Sequence, residues 1–441
     1  MYNSLIVTII SLIAGVLVII LCTVRFKLHP FFALLLACVV TGLGVGLGVN
    51  EILQLIKTGF GDILSKLTLI IVLGTSIGVL LEKNGATTVM ANFILKIVGA
   101  KRSALALSLT GFIVGLPIFC DSGYIVLNGI NKSLIRRTGF TVAQMSISLA
   151  AGLYSVHCLI PPHPGATAAA ASLSVDFGRL ILYGIVIAIP AMFAGHLWAI
   201  WAGRITPSDS TDQTIDEETK NYPTVLMSFL PVLIPIVLMS LRSLVDQESK
   251  NLTTIDRTLF IIGDPAVALA VGVLLAIMIS KGNFKTIIPE LSGAVEKAGS
   301  ILVIIAAGAA FGAILGATNI GLHISESVDL KLFGIWFPFL LTAIIKTAQG
   351  SSTVAIVTAS SIVLPLLPAL GLDAENGRLL AVLSLGAGSM MISHTNDAYF
   401  WVIAKFSGID VRTMLKVHSV SSIVMGITTM LFVYLLSLLI L

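Results

Sequence analysis

The chain has 441 residues, of which 56% are hydrophobic and only 11% charged, with a mean hydropathy of +1.03. That profile excludes a soluble globular domain and describes a polytopic membrane protein, in which about 20 apolar residues make one span and roughly ten spans fit. The net charge of +4 comes from basic residues in short loops, where it sets topology rather than pointing to nucleic acid, and Cys22, Cys38, Cys120 and Cys158 sit in apolar segments without the spacing of a disulfide framework or zinc ribbon.

In chain order, the first span covers residues 4–24; it lacks a basic n-region and a small-residue cleavage site and ends in Arg25 and Lys27, so it is expected to be retained. A second span covers 29–49, where Gly42, Gly44, Gly46 and Gly48 read as a helix-packing stripe. Next, "EILQLIKTGFGDILSK" spaces Ile52, Leu55, Ile56, Phe60 and Ile63 at helical intervals. We read it as an interfacial amphipathic helix, the alternative being an extension of the third span, 67–82. Residues 103–135 do not fit a crossing: after the break at Phe119–Gly123, Tyr124 to Ile135 extends only about 18 Å against a hydrocarbon core of about 30 Å. With Lys83, Lys96, Lys101 and Arg102 before it and Lys132, Arg136 and Arg137 after it, this segment is predicted to be a re-entrant hairpin opening to the cytoplasm. An interrupted span, 140–175, and a fifth span, 177–203, follow.

The polar stretch 204–223 has the composition of a solvated cytoplasmic linker. Beyond it the pattern returns: Pro265 repeats Pro30, Gly308 and Gly312 repeat Gly74 and Gly78, and Asp410 repeats Asp176, all at offsets of 234 or 235 residues. Residues 1–203 and 224–441 are therefore predicted to be two structural repeats, and an odd number of crossings in the first makes the second inverted. The second hairpin spans about 333–370 with its tip at "AQGSST" and acidic flanks Glu326, Asp329, Asp373 and Glu375; the second broken span covers 378–408. This topology puts about two basic residues inside for each one outside, with both termini periplasmic.

Broken backbone at membrane depth survives only where protein or a hydrated cavity satisfies its polar groups, so two opposed tips predict a site near the midplane. Around it stand Asp121, Ser122 and Gly123 at the first tip; Pro162, His163 and Gly165 in "VHCLIPPHPGATAAA"; Gln349, Gly350, Ser351, Ser352 and Thr353 at the second tip; and Thr395, Asn396 and Asp397 in "SMMISHTNDAYFWV". The unpaired N–H groups opening each second limb suit an anion. Asp121 is expected to carry a proton or to bind substrate hydroxyls. Asp397 is expected either to join it or to cap the helix that follows, and His163 either to relay protons or to bond a backbone carbonyl. Lys346 is expected either to pair with a substrate carboxylate or to snorkel. The tip hydroxyls serve as polyol ligands, as helix caps, or as both.

"LPIFCDSG", "VHCLIPPHPGATAAA", "KTAQGSSTVA" and "HTNDAYFW", in this order and spacing, resemble the gluconate permease (GntP) family of bacterial sugar-acid and proton symporters over essentially the whole chain. The resemblance implies a bacterial inner-membrane location, proton-coupled uptake of gluconate, fructuronate, another hexonate or D-serine, and an elevator-type homodimer. It implies neither enzyme activity nor a cofactor. Many members read Phe-Phe-Asp at the first tip, where this chain has Phe119-Cys120-Asp121, so the particular substrate stays open. A membrane hydrolase using His157, His163, His394 and Asp397 around zinc would want ligands sharing a helix face, and no H-E-x-x-H is present. A sodium-coupled carboxylate carrier is the closer rival, because oxygen-rich broken helices also coordinate cations.

Overall fold

The computed structural model describes residues 5–205, 222–243, 245, 253–280, 284–318 and 330–441. Most of the predicted linker 204–223, together with Glu326 and Asp329, thus lies outside the described residues. Within them every regular element is helical. Eight helices are long and apolar enough to cross a bilayer, and a ninth crossing arises if Thr254–Ile262 and Pro265–Ile279 form one span bent by 67°.

Helix α1, Leu5–Ile20, ends in a π turn over Leu21–Arg25, and α2, Pro30–Gly44, starts on a proline whose missing N–H costs nothing in a first turn. Helix α3 runs unbroken through Val49–Lys83. The separate interfacial helix expected before residue 67 is therefore corrected to an extension of the third span, 35 residues long, or about 52 Å at 1.5 Å per residue. No proline interrupts the segment, and Gly59 is needed where it lies: a Cβ there would stand 2.8 Å from the carbonyl oxygen of Ala309. That partner belongs to α13, Phe284–Ala317, the long helix against which α3 packs along much of its length. Helix α4, Ala86–Val98, was assigned no element by the hydropathy pattern.

The first hairpin is α5, Ser103–Gly115, and α6, Cys120–Arg137, around a turn at 116–119. Helix α6 begins at the tip, so this limb is longer than the stretch from Tyr124 to Ile135 read from sequence. The first broken span is α7, Val142–Leu159, and α8, Pro164–Ser172, parted by Ile160 to His163, where prolines at 161 and 162 cannot continue a ladder. Helix α9, Phe177–Ala202, follows a cap in which Asp176 accepts from the Arg179 N–H at 2.8 Å.

The later part begins with α10, Val225–Arg242, then α11, Thr254–Ile262, and α12, Pro265–Ile279. After α13 come α14, Trp336–Gln349, and α15, Ser352–Val363, with short turns carrying α15 on to Leu370. They form a second hairpin. The second break parts α16, Glu375–Ser389, from α17, Ala398–Ser407, and α18 spans Val411–Ile440 with a π turn at Leu415–Ser419. Asp410 caps α18 through the Thr413 N–H as Asp176 caps α9.

Two glycine pairs bring the long helices against the hairpins and breaks. On α3, a Cβ at Gly74 would meet Pro162 at 2.8 Å, and one at Gly78 the Pro117 carbonyl oxygen at 2.7 Å. On α13, Gly308 faces Val357 and Gly312 faces Ser361 of α15. A tighter approach joins α5 to α7, where a Cβ on Gly152 would lie 2.0 Å from the Ser108 carbonyl oxygen, with backbone on both sides. Gly152→Val must separate these helices and is expected to cost about 1–3 kcal/mol, read as a fall in melting temperature in detergent. Gly61→Val on α3, where a Cβ meets nothing within 4 Å, should shift it far less.

Candidate functional site

The second tip and second break are locked together by charge. At the last turn of α14, the Lys346 ammonium donates to Asp397 Oδ2 at 2.6 Å and to the Gly350 carbonyl. The Lys346 side chain is wholly buried, and that of Asp397 is 7% exposed. Asp397 also accepts from the Ser393 hydroxyl at 2.5 Å and, through its other oxygen, from the Tyr399 N–H at 3.0 Å. It is thus both the cap of α17 and half of an ion pair. His418 Nε2 lies 3.1 Å from the Ser393 hydroxyl, placed there by the π turn of α18. Gly350 has φ +87°, and a Cβ on it would stand 2.1 Å from the Asn396 carbonyl oxygen. No other residue fits there. Asn396 Nδ2 and His394 Nε2 donate to the Thr347 carbonyl at 2.8 and 3.0 Å, closing the frayed end of α14.

The first tip is tied to its break without charge. His163 is buried, and its Nε2–H donates to the Gly115 carbonyl at 2.7 Å, the last of α5. Of the two readings of His163, the carbonyl bond is the one observed: it does not face the cavity. Asp121, in the first turn of α6, has no basic residue within ion-pair distance among the described residues; the hydrogen bond its carboxylate accepts comes from the Cys120 thiol at 3.8 Å.

Between the tips lies a cavity of about 410 Å³. Of the residues singled out in the sequence, Asp121, Ser122, Gln349, Ser351, Ser352, Thr353, Asn396 and Asp397 line it. Gly123 packs behind it against Leu153 and Gly165 against Ile356 and Thr353 in the first turns of α15, Gly350 makes the turn at the second tip, and Pro162 lies instead against Gly74 of α3. Thr395 is exposed, and its carbonyl accepts from Trp401 Nε1 at 2.8 Å. Lys346 does not reach the wall, because its ammonium is already held by Asp397 and Gly350.

Sequence reasoning missed Tyr154 and Tyr399, whose rings stack at 5.6 Å, and Lys297, Ser300, Ile301 and Ile304 on one face of α13. It also placed His163 and not His157 around the site, yet His157 lines the cavity. Its Nδ1 and both polar atoms of the Gln349 amide are buried without a partner. Such groups in a cavity wall await a ligand or water. Among the described residues no three His, Cys, Asp or Glu side chains converge as a metal site requires.

Residues 7–439 match the family model described as GntP family permease. The chain belongs to the GntP permease family. It is 32% identical to a protein named gluconate permease from Pseudomonas aeruginosa over 94% of each chain, and 29% identical to the Gnt-II system L-idonate transporter of Escherichia coli, over 94% of this chain and 95% of that one. The YdaH transporter of Alcanivorax borkumensis superposes on this GntP permease with a TM-score of 0.60 at 14% identity, covering 88% of this chain and 89% of that one. MtrF of Neisseria gonorrhoeae gives 0.60 at 16% identity, covering 88% and 84%. At such identities the likeness is one of fold.

Removing one partner of a buried pair strands the other charge, so Lys346→Met is expected to cost roughly 3–5 kcal/mol, whereas Lys346→Met combined with Asp397→Asn should recover much of it. Melting temperatures of the two single variants and the double variant measure this coupling, and additive losses would show that the pair is not coupled.

Proposed function

We propose that this GntP permease is a proton-coupled importer of gluconate or a related sugar acid, working in a bacterial inner membrane. The names of its relatives support the substrate class. The observation that carries the reading is the cavity wall: hydroxyls of Ser122, Ser351, Ser352, Thr353 and Tyr154, with the unpartnered amide of Gln349, surround a volume within the roughly 300–1,000 Å³ usual for small-molecule sites. A polyol chain satisfies such a wall, and an apolar or purely ionic ligand does not. The first turn of α15 lines the same space, and the N–H groups that open a helix add donors for an acid.

Proton coupling follows from the difference between the two aspartates. Asp397 is neutralised by Lys346, but Asp121 faces the same cavity without a cation at ion-pair distance among the described residues. Two carboxylates about 5 Å apart at an effective dielectric near 20 repel by about 3 kcal/mol. A proton on Asp121 removes that cost, so acid and proton bind better together than apart, which is the requirement for symport.

The same reading takes the chain as two inverted repeats, 1–203 and 224–441, with both termini outside, the 204–223 linker inside, and a homodimer as the assembled form. The hairpins and broken spans then carry the site as one body past α3 and α13.

Reconstituted protein is expected to accumulate labelled gluconate under an acid-outside gradient, to lose accumulation on adding a protonophore, and to be indifferent to sodium. Asp121→Asn should retain gluconate counterflow while losing gradient-driven accumulation. A strict sodium requirement would replace this reading with a sodium-coupled carrier, and full accumulation by the variant would remove Asp121 from the coupling step.

A further inference from the structure

The cavity described above has a wall that the hairpins do not supply. Lys297, Ser300, Ile301 and Ile304 recur at intervals of three and four residues along α13, so one face of that helix closes the site. Three charged side chains line the cavity: Asp121, Asp397 and Lys297. The charge of Asp397 is cancelled by Lys346 at 2.6 Å. What remains is one carboxylate, Asp121, and one ammonium, Lys297. Lys297 has no carboxylate within ion-pair distance among the described residues. On the neighbouring stretch of α13 the acidic Glu290 is taken by Lys83 of α3 at 2.9 Å. Lys297 also lines a narrow slot that leads off beside the first tip, together with Glu82, Phe119 and Ser122. Lys297 therefore stands where this slot meets the Ser122 side of the cavity, and Glu82 is an acid lining the same slot.

An acid entering this space has few places for its carboxylate. The start of α6 carries the carboxyl group of Asp121 in place of a cation, and the Lys346 ammonium is buried and occupied. The start of α15 offers backbone donors but no net charge, and Ser351 already accepts from the Val354 N–H. We propose that Lys297 takes the carboxylate of the transported acid and so sets the preference of the site for acids over neutral polyols, while the hydroxyl chain lies toward Ser351, Ser352 and Thr353. This rests on the cavity being the sugar-acid site. It also means that the substrate bridges the hairpin body and α13, so this contact exists only while the cavity stands opposite Lys297.

The test is calorimetric binding of D-gluconate and of its uncharged amide, D-gluconamide, to purified wild type, Lys297→Gln and Lys297→Arg. Wild type is expected to prefer gluconate. Lys297→Gln should weaken gluconate by about tenfold or more while leaving gluconamide affinity unchanged, so that the preference collapses. Lys297→Arg should keep most of it. Unchanged gluconamide binding shows that the variant is folded with its cavity intact, which a merely structural role for Lys297 would not give. If Lys297→Gln keeps the full preference for gluconate, the role of Lys297 is overturned while the sugar-acid site stands. If wild type binds neither compound, the sugar-acid reading fails and this inference with it.

Discussion

The buried ion pair between Lys346 and Asp397 is the constraint on which the site depends. An ammonium and a carboxylate inside a membrane domain each lose several kcal/mol of hydration, and only close contact with further hydrogen bonds repays that loss. Each additional bond in turn fixes a piece of backbone. The Gly350 carbonyl is drawn to the ammonium, which forces the left-handed turn between α14 and α15. The Ser393 hydroxyl is drawn to the carboxylate, and Ser393 is itself held by Ser419 and Ser422 of α18, whose hydroxyls bond its carbonyl and N–H at 2.5 and 2.9 Å. Hairpin tip, helix break and the start of α18 therefore have one mutual arrangement, and the hydroxyls of Ser351, Ser352 and Thr353 take their places from it.

The first tip solves the same problem without charge. His163 occupies the place in the first break that Asp397 occupies in the second, 234 residues on, and its ring bonds the Gly115 carbonyl where Lys346 bonds the Gly350 carbonyl. A neutral clasp needs no counter-ion, so no lysine is present on α5. This asymmetry decides the electrostatics of the cavity. Charge introduced on one side is cancelled internally, whereas Asp121, outside either clasp, lines the cavity without an ion-pair partner among the described residues.

Much of this was legible in the sequence because covalent chemistry enforces it. Prolines at 161, 162 and 164 crowd one short stretch and interrupt a helix that a single proline, such as Pro190 in α9, leaves continuous, glycine at 350 announces a turn, and an aspartate such as Asp121 inside an apolar run has few structural uses. The residues that escaped notice lie outside the breaks themselves, Tyr154 and Tyr399 on the helical limbs beside them and Lys297 on the continuous α13. Tyr154 and Tyr399 look like ordinary core aromatics until the fold brings them to within 5.6 Å of each other, and Lys297 looks like a topology-setting charge until α13 is seen to line the cavity. The choice between His157 and His163 was equally hidden, since they flank one break and only its path decides which ring faces inward. Continuity of α3 was missed because amphipathic spacing marks an interfacial helix and the exposed end of a long one alike.

The distribution of hydrogen bonds between the hairpins and broken spans bears on how such a protein moves. Tyr154 on α7 bonds the Ser352 hydroxyl and the Ser389 carbonyl, Tyr399 on α17 bonds the Ala150 carbonyl, Asn128 on α6 bonds the Phe406 carbonyl, and Tyr124 on α6 bonds Ser407. These bonds run between the early and late parts of the chain. At roughly 0.6 kcal/mol for each interhelical bond in a membrane protein, five add a few kcal/mol to the packing and resist internal rearrangement. The surfaces that α3 and α13 present are different in kind. Gly74, Gly78, Gly308 and Gly312 meet the Pro162 ring, Ile118, Val357, Ser361 and one backbone carbonyl, and the hydrogen bond found at these four positions is that of Ser361 to the Gly308 carbonyl at 2.7 Å. Contacts between small residues and apolar groups are non-directional and re-form after a shift along the helix, whereas the tyrosine and asparagine bonds would each have to break. The movement proposed above, of the hairpins and breaks as one body along the two long helices, would keep these directional bonds, whereas opening at the tips alone would have to disrupt the clasps of Lys346 and His163.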